Sequence, residues 1–287
     1  IVQHGAVEPR SLPVELQHTL PALPEVPVAP VLLGHLHAGA LGKAAHRIRE
    51  GEVFGLIGTN GAGKSTLFRC ILGFLKGYSG TILIDNQDIK EMSRTEIARK
   101  IAYIPQTTVP VFNYDVIDIV LMGTTGSLKL LESPGKEQIE AAERALDELG
   151  IGYLRDRGFG RISGGERQLV LVARALVQNA KILIMDEPTA NLDYGNQYRV
   201  MAKIKELAAG GYTIILSTHN PEHALLFADK SFVIQKGEFV AAGSSAEVLN
   251  EEMMRRLYGV DVRILTTEIN EEEARVFVPV GTSARDK

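Results

Sequence analysis

Nine consecutive residues, Gly58-Thr59-Asn60-Gly61-Ala62-Gly63-Lys64-Ser65-Thr66, constrain what this chain can fold into more than any other stretch. They follow Val53-Phe54-Gly55-Leu56-Ile57, a continuous apolar run of the kind that forms a strand covered on both faces. A helical pattern over 65–75 comes next. The segment fits G-x-x-x-x-G-K-S/T, a phosphate-binding loop. Its glycines let the backbone wrap closely and turn amides toward phosphate oxygens, and the helix that follows adds the positive end of its dipole. Lys64 is then placed to reach β- and γ-phosphates, and Ser65 to ligate Mg²⁺. A plain glycine-rich turn is the competing reading, and the flanking strand and helix weigh against it.

Other strand-like runs occur at 181–186 and 213–217, with helical text between them. That alternation implies an α/β sheet with parallel pairing. Residues 231–242 read instead as a hairpin near a sheet edge. Between about 107 and 162 strand signals fade, and an insert is expected over about 107–165; 137–149 places Ile139, Ala142, Leu146 and Leu149 at helical steps, and 116–122 is a second helix candidate. A helical insert is the economical explanation.

The ends of the chain differ from its middle. Six of the 12 prolines lie before residue 31, so long helices and central strands are not expected there, and 1–30 reads as a poorly ordered extension. The main domain is expected over 31–265. The tail, 266–287, holds Glu271-Glu272-Glu273, which reads as a solvated face. His35, His37 and His46 lack a supporting carboxylate pattern and are not read as a metal site.

Composition narrows the function classes. The 31 Lys and Arg against 35 Asp and Glu leave a formal net charge of −4, which argues against a dedicated nucleic-acid binder. A lone cysteine, Cys70, excludes an internal disulfide and a Cys-rich metal module. The uncharged stretch 26–42 contains Pro27, Pro30, His35 and His37 and does not read as a membrane span; nor does the start read as a secretory signal.

Two further motifs carry chemistry. Ile182-Leu183-Ile184-Met185-Asp186-Glu187 sets two carboxylates at the end of a buried strand, where α/β sheets bind ligands. Asp186 is the candidate Mg²⁺ partner, and Glu187 is placed to polarise a water in line with a γ-phosphate. Ser163-Gly164-Gly165-Glu166 opens a helical run. It fits a capping box, and its glycines also free amides to approach an anion; both readings stand at this point.

Together these residues resemble the ATP-binding cassette (ABC) ATPases. Lys64 falls in the Walker A loop, Ser163-Gly164-Gly165-Glu166 in the family signature and Asp186-Glu187 in Walker B. Gln106 matches the Q-loop glutamine, Asn191-Leu192-Asp193 the D-loop, and His219 the switch histidine. The resemblance covers about 50–262 and implies a P-loop NTPase (RecA-like) core with an antiparallel β subdomain and a helical insert.

It also implies ATP and Mg²⁺ as ligands, with the metal near Ser65, Gln106 and Asp186. Glu187, His219 and Lys64 become the catalytic residues. Two chains are expected to sandwich two nucleotides, so that Ser163, Gly164 and Gly165 touch the triphosphate held by the other subunit while Asp193 communicates between them. A membrane permease would be the working partner, with an extracytoplasmic solute-binding protein engaged indirectly and no nucleic acid. The location implied is peripheral, on the cytoplasmic face of the membrane. The permease contact is expected at 109–118, with Phe112 and Tyr114 as anchors.

Asp193-Tyr194-Gly195-Asn196-Gln197, Arg94 and the run from Arg99 to Gln106, and Leu257-Tyr258-Gly259-Val260 are similar to the ATPase subunits of importers for iron–siderophore complexes, haem and cobalamin. Molybdate importers share this text. An exporter ATPase and a soluble ABC protein of DNA repair or translation are the rival readings. One departure stands out: Ala40 occupies the place where the family usually has an aromatic that stacks on adenine.

Overall fold

The computed structural model describes residues 14–17, 46–78, 81–106, 114–128, 132–269 and 272–282. A short antiparallel sheet includes β1 (Val14–Gln17), β2 (His46–Ile48), β4 (Thr81–Ile84) and β5 (Gln87–Asp88), in the order β2-β1-β4-β5. Among the described residues the main sheet has six strands: β3 (Val53–Ile57), β6 (Ile101–Ile104), β7 (Ile182–Asp186), β8 (Thr213–Thr218), β9 (Lys230–Gln235) and β10 (Glu238–Ser244). Their order is β10-β9-β3-β8-β7-β6, parallel throughout except for β10, which pairs antiparallel with β9 at the edge.

Both faces of this sheet are covered, which is why its central strands are uninterrupted apolar runs. Phe54, Leu56, Ile184, Ile215 and Phe232 point to one side, where α1 (Lys64–Ile71), α2 (Arg94–Lys100) and the short sheet pack. Val53, Ile57, Leu183, Met185, Ile214 and Leu216 point to the other. There they meet α5 (Gly164–Leu176), α6 (Tyr194–Ala209) and the helical insert. The insert is built from α3 (Val116–Leu121), the 3-10 turn Met122–Ser127 and α4 (Lys136–Glu148). Val120, Ala142, Leu146 and Phe159 join its core to Val170 of α5. Among its described residues the only strand-like contact is a single bridge between Asp115 and Gly158.

Gly123 fixes the approach of the insert to α5. A Cβ there would lie 2.0 Å from the Arg174 carbonyl oxygen and 2.6 Å from Val177 Cγ2. Gly123→Ala is therefore expected to lower Tm by roughly 5 °C, a cost of overpacking that a thermal melt would read. An unchanged Tm would show that the turn gives way freely.

Several boundaries differ from the sequence reading. The helix after the phosphate loop ends at Ile71, short of residue 75, because Gly73 turns the chain at φ 71° and leaves Phe74 exposed. The supposed 266–287 tail starts inside β11 (Val260–Ile269), which pairs antiparallel with β12 (Glu272–Thr282). Val262 and Phe277 are buried against the domain, whereas Leu265, Val276, Val278 and Val280 face outward. The poorly ordered extension contains β1, paired on both sides; its four residues fit between Pro13 and Pro21, so every one can join a ladder. The rest of 1–30 lies outside the described residues, as do His35, His37, Ala40 and Phe112, while Tyr114 is exposed. Among the described residues no helix is long and apolar enough to cross a membrane.

Candidate active site

The phosphate loop leaves the C-terminal end of β3 and closes on its own lysine. Lys64 is 6% exposed, and its Nζ donates to the Gly58 carbonyl at 2.8 Å and the Thr59 carbonyl at 3.3 Å. Gly61 and Gly63 hold φ of 79° and 107°, values that favour glycine. Gly58 is required for a different reason: a Cβ on it would sit 2.4 Å from the Ile234 carbonyl oxygen of neighbouring β9. Asn60 and Ser65 are exposed at the rim, and Thr59 and Thr66 are half-buried.

Across from the lysine, β7 delivers Asp186 and Glu187. Ser217, at the end of β8, serves both residues. Its hydroxyl donates to Asp186 Oδ1 at 2.6 Å and accepts the Glu187 N–H at 2.9 Å. Glu187 itself sits at φ 47°, a left-handed conformation uncommon for a non-glycine residue. This bend turns its carboxylate back over the loop. Glu187 Oε1 pairs with Lys64 Nζ at 3.1 Å, while Oε2 lies 3.0 Å from His219 Nδ1 and accepts from Gln106 Nε2 at 3.2 Å. Lys64, Gln106, Asp186, Glu187 and His219 thus form one cluster. Tyr103 approaches Asp186 Oδ2 at 3.5 Å, and burial, with the Asp186 charge next, raises its hydroxyl pKa.

Ser163, Gly164, Gly165 and Asp193 make a second group, around the facing N-termini of α5 and α6. The capping box at α5 is realised: Glu166 N–H donates to Ser163 Oγ at 3.3 Å and Ser163 N–H to Glu166 Oε2 at 2.8 Å. The Ser163 bonds hold the Glu166 carboxyl below the usual range. Asp193 caps α6 without the reciprocal bond, accepting from Asn196 N–H at 2.9 Å and from its side-chain amide at 2.8 Å. The two signature glycines allow contact between these helix starts. A Cβ on Gly165 would meet the Asn196 side chain at 2.8 Å, and one on Gly164 would meet Leu192 Cδ2 at 3.0 Å.

The donors near the loop suit a hard divalent cation. Ser65 offers a hydroxyl, Asp186 a carboxylate and Gln106 an amide oxygen, and Mg²⁺ is commonly held by one or two carboxylates with substrate phosphates supplying the rest. Among the described residues there is no group of three or more His, Cys, Asp or Glu that could hold a metal ion. Sequence reasoning missed Ser217 and Tyr258 as neighbours of the site. Ser217 could have been read from its place two residues before His219 at a strand end; Tyr258 stands in the Leu257-Tyr258-Gly259-Val260 run, but nothing in that run signals a contact with residue 219.

A loop of this geometry beside a paired-acid strand defines a P-loop nucleotide hydrolase. A family profile described as "ABC transporter" matches residues 41–190. An ABC transporter ATP-binding protein of Haemophilus influenzae is 40% identical over 78% of this chain and 85% of its own length. A hemin import ATP-binding protein of Rhodococcus jostii is 34% identical over 76% of this chain and 74% of its own length. Among solved structures, a metal-chelate type ABC transporter in an inward-facing conformation superposes with a TM-score of 0.74 at 30% identity, covering 83% of this chain and 90% of that one. The chain belongs to the ABC transporter family, as an ATP-binding, ATP-hydrolysing subunit.

Proposed function

We propose that two copies of this chain hydrolyse MgATP to drive a membrane importer for an iron–siderophore, haem or cobalamin-type solute. The observation that carries the catalytic reading is the convergence of Lys64, Gln106 and His219 on the Glu187 carboxylate. These are the groups needed around a γ-phosphate: a cation, a water-orienting carboxylate and two hydrogen-bonding side chains.

In this reading the loop amides of 58–66 and the Lys64 ammonium hold the β- and γ-phosphates. Ser65, Asp186 and Gln106 would hold Mg²⁺, which would supply neutralisation of phosphate charge when bound. Lys64 exchanges one anion for another, leaving Glu187 for the nucleotide. Glu187 then takes a proton from the attacking water, and His219 donates toward the γ-phosphate. Ser163, Gly164 and Gly165 contact the triphosphate bound by the partner copy, and Asp193 lies beside them at the subunit boundary. Catalysis is chiefly positioning and charge stabilisation.

In this reading the permease docks against the cleft of about 1010 Å³ between α2, the 3-10 turn and α4, whose lining includes Arg99, Arg144 and Arg174 together with Glu137 and Glu148. Tyr114 is a further candidate contact. The chain would then work at the cytoplasmic face of the membrane, with the solute-binding protein acting through the permease.

Support for the solute class comes from the hemin-import relative and from the runs ending at Gln106 and Val260. The test is uptake in cells that lack the chain, complemented with the wild type or with Glu187→Gln. Wild-type protein is expected to restore uptake of a labelled ferric siderophore, haem or cobalamin, and the variant is not. Restoration of molybdate uptake alone would move the assignment to that class; restoration of none, with ATPase activity intact, would favour a soluble ABC ATPase.

A further inference from the structure

We propose that Tyr258 is a positioning residue for His219, holding the switch-histidine turn in register with Glu187. The inference rests on the role given to His219 above. Its geometric basis is a hydrogen bond of 3.0 Å from the Tyr258 hydroxyl to the His219 main-chain carbonyl.

His219 stands in a two-residue link between β8 and α7 (Pro221–Phe227). A peptide at that point has left the ladder of β8 and does not yet belong to the helix, so its carbonyl is free to take a partner from outside either element. Within the link, Asn220 N–H donates to Thr218 Oγ1 at 2.9 Å, and Asn220 Oδ1 accepts the Glu222 N–H at 2.9 Å, capping α7. The His219 carbonyl is met by the tyrosine. The imidazole on the same residue is exposed and reaches Glu187 Oε2 at 3.0 Å. A tilt of the 219 peptide therefore carries the imidazole away from the site.

Tyr258 is suited to act as a fixed donor. It ends α9 (Glu251–Tyr258), and Gly259 closes that helix in the left-handed conformation at φ 68°. Met253, Met254 and Leu257 bury α9 in the core, and Tyr258 packs against the same cluster. Arg256 and Gln235 exchange two hydrogen bonds of 3.1 Å, tying α9 to the end of β9. Burial, and after it the negative charge of Glu187, push the Tyr258 hydroxyl up to about 12, so it keeps its proton at neutral pH and can only favour an acceptor such as the carbonyl.

The test is a cycle of steady-state ATP hydrolysis on the full chain: wild type, Tyr258→Phe, His219→Ala and the double variant. Tyr258→Phe keeps the ring and removes only the donor. Its kcat is expected to fall about fivefold to tenfold, the scale of one hydrogen bond, with KM for MgATP and Tm unchanged. In the His219→Ala background the same change is expected to have no further effect, since the tyrosine acts through the histidine. A Tyr258→Phe kcat within about twofold of wild type, beside a strongly impaired His219→Ala, would overturn the proposal and leave the His219 role standing. Effects that multiply in the double variant, or a loss of Tm together with a rise in KM, would also overturn it. Full activity in His219→Ala would remove the role of the histidine and the positioning role with it.

Discussion

Glu187→Gln is expected to cut ATP turnover by about 100-fold or more while leaving nucleotide binding intact, the range over which a positioned general base contributes. The amide is close to the carboxylate in shape, so the turn held by Ser217 Oγ to the residue-187 N–H survives. What disappears is the capacity to take a proton from water. Binding is spared for a second reason: the Lys64–Glu187 ion pair of 3.1 Å competes with the phosphates for the same ammonium, and the neutral amide competes less. The variant should bind ATP at least as tightly as the wild type and accumulate as an ATP-bound dimer. Single-turnover hydrolysis and light scattering with MgATP would read both effects. Turnover above about a tenth of wild type would remove Glu187 from its place as the base.

Lys64→Ala attacks the same pair from the other side, with the opposite outcome for binding. The lysine is nearly buried and organises the loop through the Gly58 and Thr59 carbonyls, so its loss removes both a phosphate partner and the scaffold that shapes the amides. It also leaves the Glu187 carboxylate, whose side chain is only 10% exposed, without its cation. An uncompensated, nearly buried anion facing an incoming triphosphate is repulsive. MgATP affinity is expected to fall about 100-fold or more by calorimetric titration. Adding Glu187→Gln should recover part of that loss, because the repulsion goes with the charge. No recovery would mean that the loop geometry alone sets the affinity.

The parts of the molecule legible in sequence are those where local chemistry and tertiary role coincide. The strand-loop-helix at 53–71 announces itself because burial on both faces makes β3 apolar and because the loop needs glycines. The signature run read equally as a cap and as an anion contact. The cap is present at Ser163 and Glu166, and it leaves the second reading open, since Gly164 and Gly165 face α6 and the loop after β7. Asp186 and Glu187, neighbours in the chain, lie beside His219 although it stands 32 residues beyond Glu187. Their meeting follows from β7 and β8 being parallel neighbours that end at the same level.

Other features were hidden for physical reasons. The hairpin of β11 and β12 is half solvated and mixes Thr, Arg and Glu with its apolar positions, so it resembles a polar tail. Strand β1 is four residues long and lies among prolines, and only its pairing with β2 and β4 defines it. Tyr258 ends an amphipathic helix of ordinary appearance; its link to residue 219 exists only because α9 folds back over the end of β8.

The 13 residues of α5 form a rod about 20 Å long, with Ser163 at one tip and Leu176 at the other. It is buried along most of its length, by the insert on one flank and α6 on another. A rod so gripped cannot flex to absorb a push. A displacement delivered at the cleft beside Arg174 would be passed along this rod toward the serine tip, and the close approach of Gly164 and Gly165 to Leu192 and Asn196 would bring the start of α6 with it. Mechanical input at one end of the subunit would then arrive at the other as a translation of two helix caps at once.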